Sequence, residues 1–144
     1  MMIIFKGVTA MKKKKLLTLI LPVIALILEI LPKGVRMQFA APPGEPRFTK
    51  YTSYFDLLPM GYADFAPLFT AILTVVLLVT LIFYIVKENF KLLTAIKFIS
   101  LVAALISLCP MFFNSYTVIG GFISASLFAE FVYLLIIKPD KTEK

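Results

Sequence analysis

The chain has 144 residues, of which 60% are hydrophobic and 16% are charged, and its mean hydropathy is +0.96. Ordinary soluble domains carry about 25% charged residues, and so short a chain has little interior in which to bury its apolar side chains. The composition therefore excludes a soluble globular domain and a disordered segment. The net charge of +7 does not indicate nucleic-acid binding, because the basic residues border apolar runs, as is typical of membrane proteins.

The residue inventory limits the chemistry that the chain can perform. It contains no histidine and a single cysteine, Cys109, which excludes the usual Ser/His/Asp and Cys/His catalytic sites and most zinc sites. The glycine pair Gly120-Gly121 lies in an apolar run with no lysine after it, unlike a phosphate-binding loop. We therefore predict that the protein is not an enzyme and has no catalytic residue, metal or cofactor.

Four apolar runs predict four transmembrane helices, since about 20 helical residues cross the roughly 30 Å hydrocarbon core. The short connections between the last three runs require antiparallel neighbours. The predicted fold is all-α, an integral membrane four-helix bundle with antiparallel transmembrane helices. The predicted spans are Leu16–Leu31, Pro67–Val86, Leu92–Cys109 and Tyr116–Ile137.

The first run has features of both a membrane anchor and a signal peptide, because Lys12–Lys15 precede it. Residues Gln38 and Phe39, three places before the candidate cleavage points, are too large for a good cleavage site. We therefore favour an uncleaved anchor and leave a cleaved signal as the alternative. Translation from Met1 and translation from Met11 are both open.

The distribution of basic residues predicts the orientation in the cell membrane. If the N-terminus is cytoplasmic, ten Lys face the cytoplasm and four Lys or Arg face outside, which follows the positive-inside rule. Tails 1–15 and 138–144 are then cytoplasmic, and segment 32–66 is extracytoplasmic. The inside set is Lys6, Lys12–Lys15, Lys87, Lys91, Lys138, Lys141 and Lys144, and the outside set is Lys33, Arg36, Arg47 and Lys50.

Segment 32–66 contains an interfacial stretch rich in aromatic residues. Ser53 and Asp56 have the spacing of a helix-capping pair, and Pro59 and Gly61 limit that helix to one or two turns. Aromatic side chains are enriched at membrane interfaces, so we predict an anchor on the bilayer, with a ligand or partner surface as the alternative. The aromatic set is Tyr51, Tyr54, Phe55, Tyr62 and Phe65.

Three ionisable residues lie within the predicted spans, where burial in lipid is expensive. Glu29 is near the end of its run, so we predict an interfacial charge that pairs with Lys33 or Arg36. Lys97 and Glu130 have similar predicted depths on neighbouring helices. They are a candidate intramembrane ion pair that fixes helix register, and the alternative is a proton or ion site.

Small residues recur in the last span at the spacing that lets transmembrane helices approach closely. Two such series are present, and they are candidates for packing within the bundle or between copies. The candidate helix-packing residues are Gly120 with Ser124, and Gly121 with Ala125 and Ala129.

The segment Tyr54-Phe-Asp-Leu-Leu-Pro-Met-Gly-Tyr-Ala-Asp-Phe-Ala-Pro resembles a segment of uncharacterised small four-span membrane proteins of Gram-positive-type bacteria. The resemblance extends over Leu16–Ile137. It implies four spans, and it implies no activity, cofactor or site residue.

Two functions fit these observations. The first is a non-enzymatic accessory or scaffold subunit of a membrane complex, whose partners are the lipid bilayer and either another membrane protein or a second copy of the chain. The alternative is a small oligomeric transport or channel component that uses Lys97 and Glu130. No nucleic-acid partner is expected.

Overall fold

The computed structural model describes residues 16–56, 65–87 and 90–137. This part of the chain is mostly helical, with four α-helices and one two-stranded sheet. The predicted tails 1–15 and 138–144, and the predicted helix end at Pro59 and Gly61, lie outside the described residues. The elements are α1 (Ile20–Ile30), β1 (Val35–Gln38), β2 (Thr49–Thr52), α2 (Ala66–Lys87), α3 (Phe90–Ile106) and α4 (Val118–Ile136), with a short 3-10 helix at Cys109–Met111.

Three helical segments are long and apolar enough to cross a membrane: Ala66–Lys87, Lys91–Met111 and Val118–Ile136. They contain 22, 21 and 19 residues, and at 1.5 Å per residue they measure roughly 28–33 Å. A hydrocarbon core is about 30 Å thick. The structure thus supports the prediction of a membrane protein.

Helix α1 is shorter than the predicted first span. It has 11 residues, which corresponds to about 16 Å, roughly half of the hydrocarbon core. It ends at Ile30, and the next residue, Leu31, has an extended backbone (ψ 138°), because the following Pro32 disfavours the helical conformation at the preceding residue. Residues 16–17, before α1, are also helical, so the described helical part of the first run begins at residue 16, with a turn at residues 18–19.

The four helices pack in cyclic order, with α1 against α2, α2 against α3, α3 against α4, and α4 back against α1. Each contributes one buried stripe to a common core, while its other faces stay apolar and exposed. This arrangement is expected when lipid surrounds the helices. The core residues include Ala25, Leu77, Leu81, Ile96, Ala104, Ile123, Leu127 and Leu134.

The prediction of an all-α fold is wrong in one segment, because residues 32–56 include an antiparallel β-hairpin. Its register pairs Val35 with Thr52 and Gln38 with Thr49. Beyond the strands, the amide of Phe39 donates to the carbonyl of Phe48 at 2.9 Å, and the two rings lie 5.9 Å apart. The sheet forms because it pairs backbone groups locally.

Candidate functional site

The β-hairpin is attached to one end of the helices, which we call the hairpin end. The backbone amide of Arg36 donates to the carbonyl of Ser115 at 3.0 Å. The guanidinium Nη2 of Arg36 donates to Asn114, with its side-chain Oδ1 at 3.0 Å and its carbonyl oxygen at 3.2 Å. These contacts join the first strand to the connection between α3 and α4.

The N-terminus of α4 contributes a second set of contacts at the hairpin end. The hydroxyl of Thr117 donates to the carbonyl of Gly34 at 2.6 Å and accepts from the amide of Gly120 at 3.0 Å. Thr117 is therefore both the N-cap of α4 and a link to the chain that leaves α1. A threonine at this position satisfies an amide that the helix itself leaves unpaired.

Tyr54 is buried between two glycines and does not belong to an exposed aromatic belt, so that part of the interfacial prediction is wrong. Its side chain is 1% exposed. A Cβ atom at Gly34 would lie 2.8 Å from its ring, and one at Gly120 would lie 3.1 Å from its hydroxyl. The hairpin brings Tyr54 inward, which the local sequence pattern does not reveal.

The remaining aromatic residues of the predicted belt differ from Tyr54. Tyr51, Phe55 and Phe65 are exposed, which suits an interfacial position, and Tyr62 lies outside the described residues. One contact of the predicted capping pair is observed: the amide of Ser53 donates to Asp56 Oδ2 at 2.8 Å.

Glu29 is buried inside the helices, so the prediction of an interfacial charge is wrong. Its side chain is fully buried, and its Oε1 lies 2.7 Å from the hydroxyl of Thr74 on α2, while Oε2 has no hydrogen-bond partner in the described part of the chain. The amide of Tyr54 donates to the backbone carbonyl of Glu29 at 3.0 Å. The chain after α1 thus folds back onto the backbone at the end of that helix.

The structure does not bring Lys97 into hydrogen-bond contact with Glu130. Both carboxyl oxygens of the fully buried Glu130 lack a hydrogen-bond partner among the described residues. The register of α3 and α4 is set where the Ser124 hydroxyl donates to the Ser107 carbonyl at 3.1 Å. Measured from that contact, Glu130 is about 9 Å along α4 and Lys97 is about 15 Å along α3.

The sequence predicted similar depths for Lys97 and Glu130, but the observed register of α3 and α4 differs from that prediction. Lys97 is roughly 6 Å farther from the hairpin end than Glu130. The α3 residues nearest the level of Glu130 are Leu101 and Ser100, about 9 Å and about 10.5 Å from Ser107, and Ser100 is the polar one of the two. The Ser100 hydroxyl is likewise buried without a partner. The polar pair that shares a depth is thus Glu130 and Ser100.

The two predicted series of small residues lie on different faces of α4, about 100° apart around the helix. Gly120 and Ser124 are buried in the interior, whereas Ala125 and Ala129 are exposed and Gly121 is half-buried. The inner series holds α4 against the hairpin and α3. The outer series has no covering helix among the described residues.

Comparison of the chain with protein-family models, with curated proteins and with solved structures found no match. Within residues 16–56, 65–87 and 90–137, no group of three or more His, Cys, Asp or Glu side chains is arranged to hold a metal ion.

Proposed function

We propose that the protein is an integral membrane four-helix bundle that acts by association, as a non-enzymatic accessory or scaffold subunit of a membrane complex. In this proposal it lies in the cell membrane with both termini cytoplasmic and the hairpin outside, as the basic residues favour. The bilayer is one partner, and the other is a membrane helix from a second copy or from a different protein.

The outer small-residue face of α4 is the observation that supports this function most directly. Gly121, Ala125 and Ala129 present little side chain, so another helix backbone could approach closely there. Bulky exposed residues such as Val118 and Val132 flank them and would supply packing contacts on both sides.

Substitution of one exposed alanine tests the proposal. Ala129→Leu adds bulk at the proposed contact and should lower association, whereas Ala95→Leu adds the same bulk on the exposed face of α3 and should not. Self-association is measured by energy transfer between labelled copies in vesicles, and association with other proteins by cross-linking in native membranes. Equal behaviour of both variants with the unchanged protein in both assays contradicts the proposal.

A second candidate function is a small oligomeric transport or channel component. It is supported by the two unpartnered oxygens of Glu130, because buried intramembrane carboxyl groups commonly mark ion or proton pathways. Proton and monovalent-cation flux into proteoliposomes tests it. Flux that is lost in Glu130→Gln and Lys97→Met but retained in Ser126→Ala would favour transport, and absence of flux in the unchanged protein would exclude it.

A further inference from the structure

A groove of about 940 Å³ lies at the hairpin end, between the hairpin and the first two turns of α4. Its size is near the upper limit of ordinary small-molecule sites. The groove is polar on the hairpin side and apolar along α4. Lys33 and Arg36 line its polar side, and Val118, Gly121, Phe122 and Ala125 line its apolar side.

The polar side of the groove carries positive charge. Lys33 and Arg36 both line it, and the described lining residues include no carboxylate. The Nη2 of the Arg36 guanidinium donates to Asn114, which fixes this cation at the edge of the groove. Two cations with no carboxylate beside them in the described lining favour an anionic group with several acceptor oxygens, which describes a phosphate diester.

The apolar side of the groove continues down α4. Val118 and Phe122 are 78% and 62% exposed, and Ala125 follows three residues later on the exposed surface. If α4 spans the membrane, these residues lie in the outermost part of the hydrocarbon layer, directly below the two cations. A free phosphate would use only the charged side, whereas a phospholipid would use both.

We infer that this groove binds one anionic phospholipid, with its phosphate between Lys33 and Arg36 and one acyl chain along Val118, Phe122 and Ala125. The occupant follows from charge complementarity at one end and apolar exposure at the other. The site goes beyond the proposed association function. It shares Gly121 and Ala125 with the outer face of α4 but not Ala129, so separate substitutions test the two ideas.

The headgroup contact is tested with the full chain in detergent, by titrating phosphatidylglycerol and phosphatidylcholine of identical chains and counting bound lipids by native mass spectrometry. Phosphatidylglycerol should bind more tightly than phosphatidylcholine. Lys33→Gln should weaken phosphatidylglycerol binding about fivefold, the effect of one basic residue near an anionic lipid surface. Lys50→Gln removes a charge from the same segment outside the groove and should leave binding unchanged.

The acyl-chain contact needs its own pair of variants. Phe122→Ala should weaken phosphatidylglycerol binding, whereas Phe69→Ala, at an exposed position on α2, should not. Inorganic phosphate at the same concentrations should neither bind nor raise the melting temperature. Equal binding of the two lipids, equal losses in Lys33→Gln and Lys50→Gln, or equal stabilisation by inorganic phosphate would each overturn the inference.

Discussion

The environment of Glu29 shows how one hydroxyl group can support a buried carboxyl group. Thr74 Oγ1 lies 2.7 Å from Glu29 Oε1 and 3.0 Å from the carbonyl of Thr70. A hydroxyl carries one proton and two lone pairs, so its proton serves one of the two oxygens at a time. The other oxygen of Glu29 has no partner, which leaves Thr74 as the described side chain that satisfies this carboxyl group.

Removing that hydroxyl should destabilise the protein. Thr74→Val keeps the shape but leaves Glu29 without its partner, so we expect a loss of about 1–3 kcal/mol in the free energy of unfolding. Thr80→Val is the matched control, because Thr80 donates only to the carbonyl of Val76 in its own helix. Unfolding of both variants in one detergent measures the difference. Equal losses would show that the contact with Glu29 contributes nothing.

Gly34, which packs against the ring of Tyr54, should not tolerate an added side chain. Gly34→Ala places a methyl group 2.8 Å from the buried ring, and overpacking of this kind typically costs about 1–3 kcal/mol. Gly121→Ala is the control, since its nearest neighbour is an ordinary 3.7 Å contact with Tyr116 and alanine favours the helix. Thermal unfolding should show Gly34→Ala melting lower and Gly121→Ala unchanged or higher. The reverse order would contradict this packing.

At the residue scale, the sequence shows where a residue lies within its apolar run. It does not show which side chains surround that residue. Glu29 is two residues from the end of its apolar run, which predicted a position among the headgroups. The structure places Thr74 beside its carboxyl group and Tyr54, a residue 25 positions away in the sequence, against its backbone carbonyl. Such distant contacts leave no trace in the spacing of neighbouring residues.

At the element scale, the long helices follow the apolar runs closely, because a continuous run is a strong signal. The bounds of α2, α3 and α4 differ from the predicted runs by at most three residues at any end. The hairpin was missed because each strand has only four residues. The connection between the strands also contains Pro42, Pro43 and Pro46, a composition typical of an extended or turning loop.

The relative shift of α3 and α4 determines what to expect of Lys97 and Glu130. Because no hydrogen bond joins them, Glu130→Leu should raise the free energy of unfolding by removing an unpartnered buried carboxyl group. The increase should be about the same whether residue 97 is the native lysine or carries the Lys97→Met substitution. Unfolding of the single and double variants in one lipid mixture measures this. A Glu130→Leu effect that changes sign in the Lys97→Met background would restore the ion pair proposed from the sequence.

At the scale of the whole molecule, the hairpin makes the two ends of the bundle unequal and provides a marker for orientation. We expect Lys50→Cys, in a Cys109→Ser background, to react with an impermeant thiol reagent added outside intact cells. A reporter fused after Lys144 should be active only in the cytoplasm. Protection of the cysteine or external activity of the reporter would contradict the orientation that the basic residues predict.

The link between Gly34 and Thr117 also orders events during synthesis. These residues are 83 positions apart, and at roughly 5–20 residues per second the ribosome needs about 4–17 s to pass from one to the other. Until then the carbonyl of Gly34 lacks this donor and Tyr54 lacks the glycine of α4 against which it packs. The contacts at the end of α1 therefore form only after the start of α4 has been synthesised. A nascent chain stopped before Thr117 leaves the end of α1 accessible to the chaperones or insertion machinery around it.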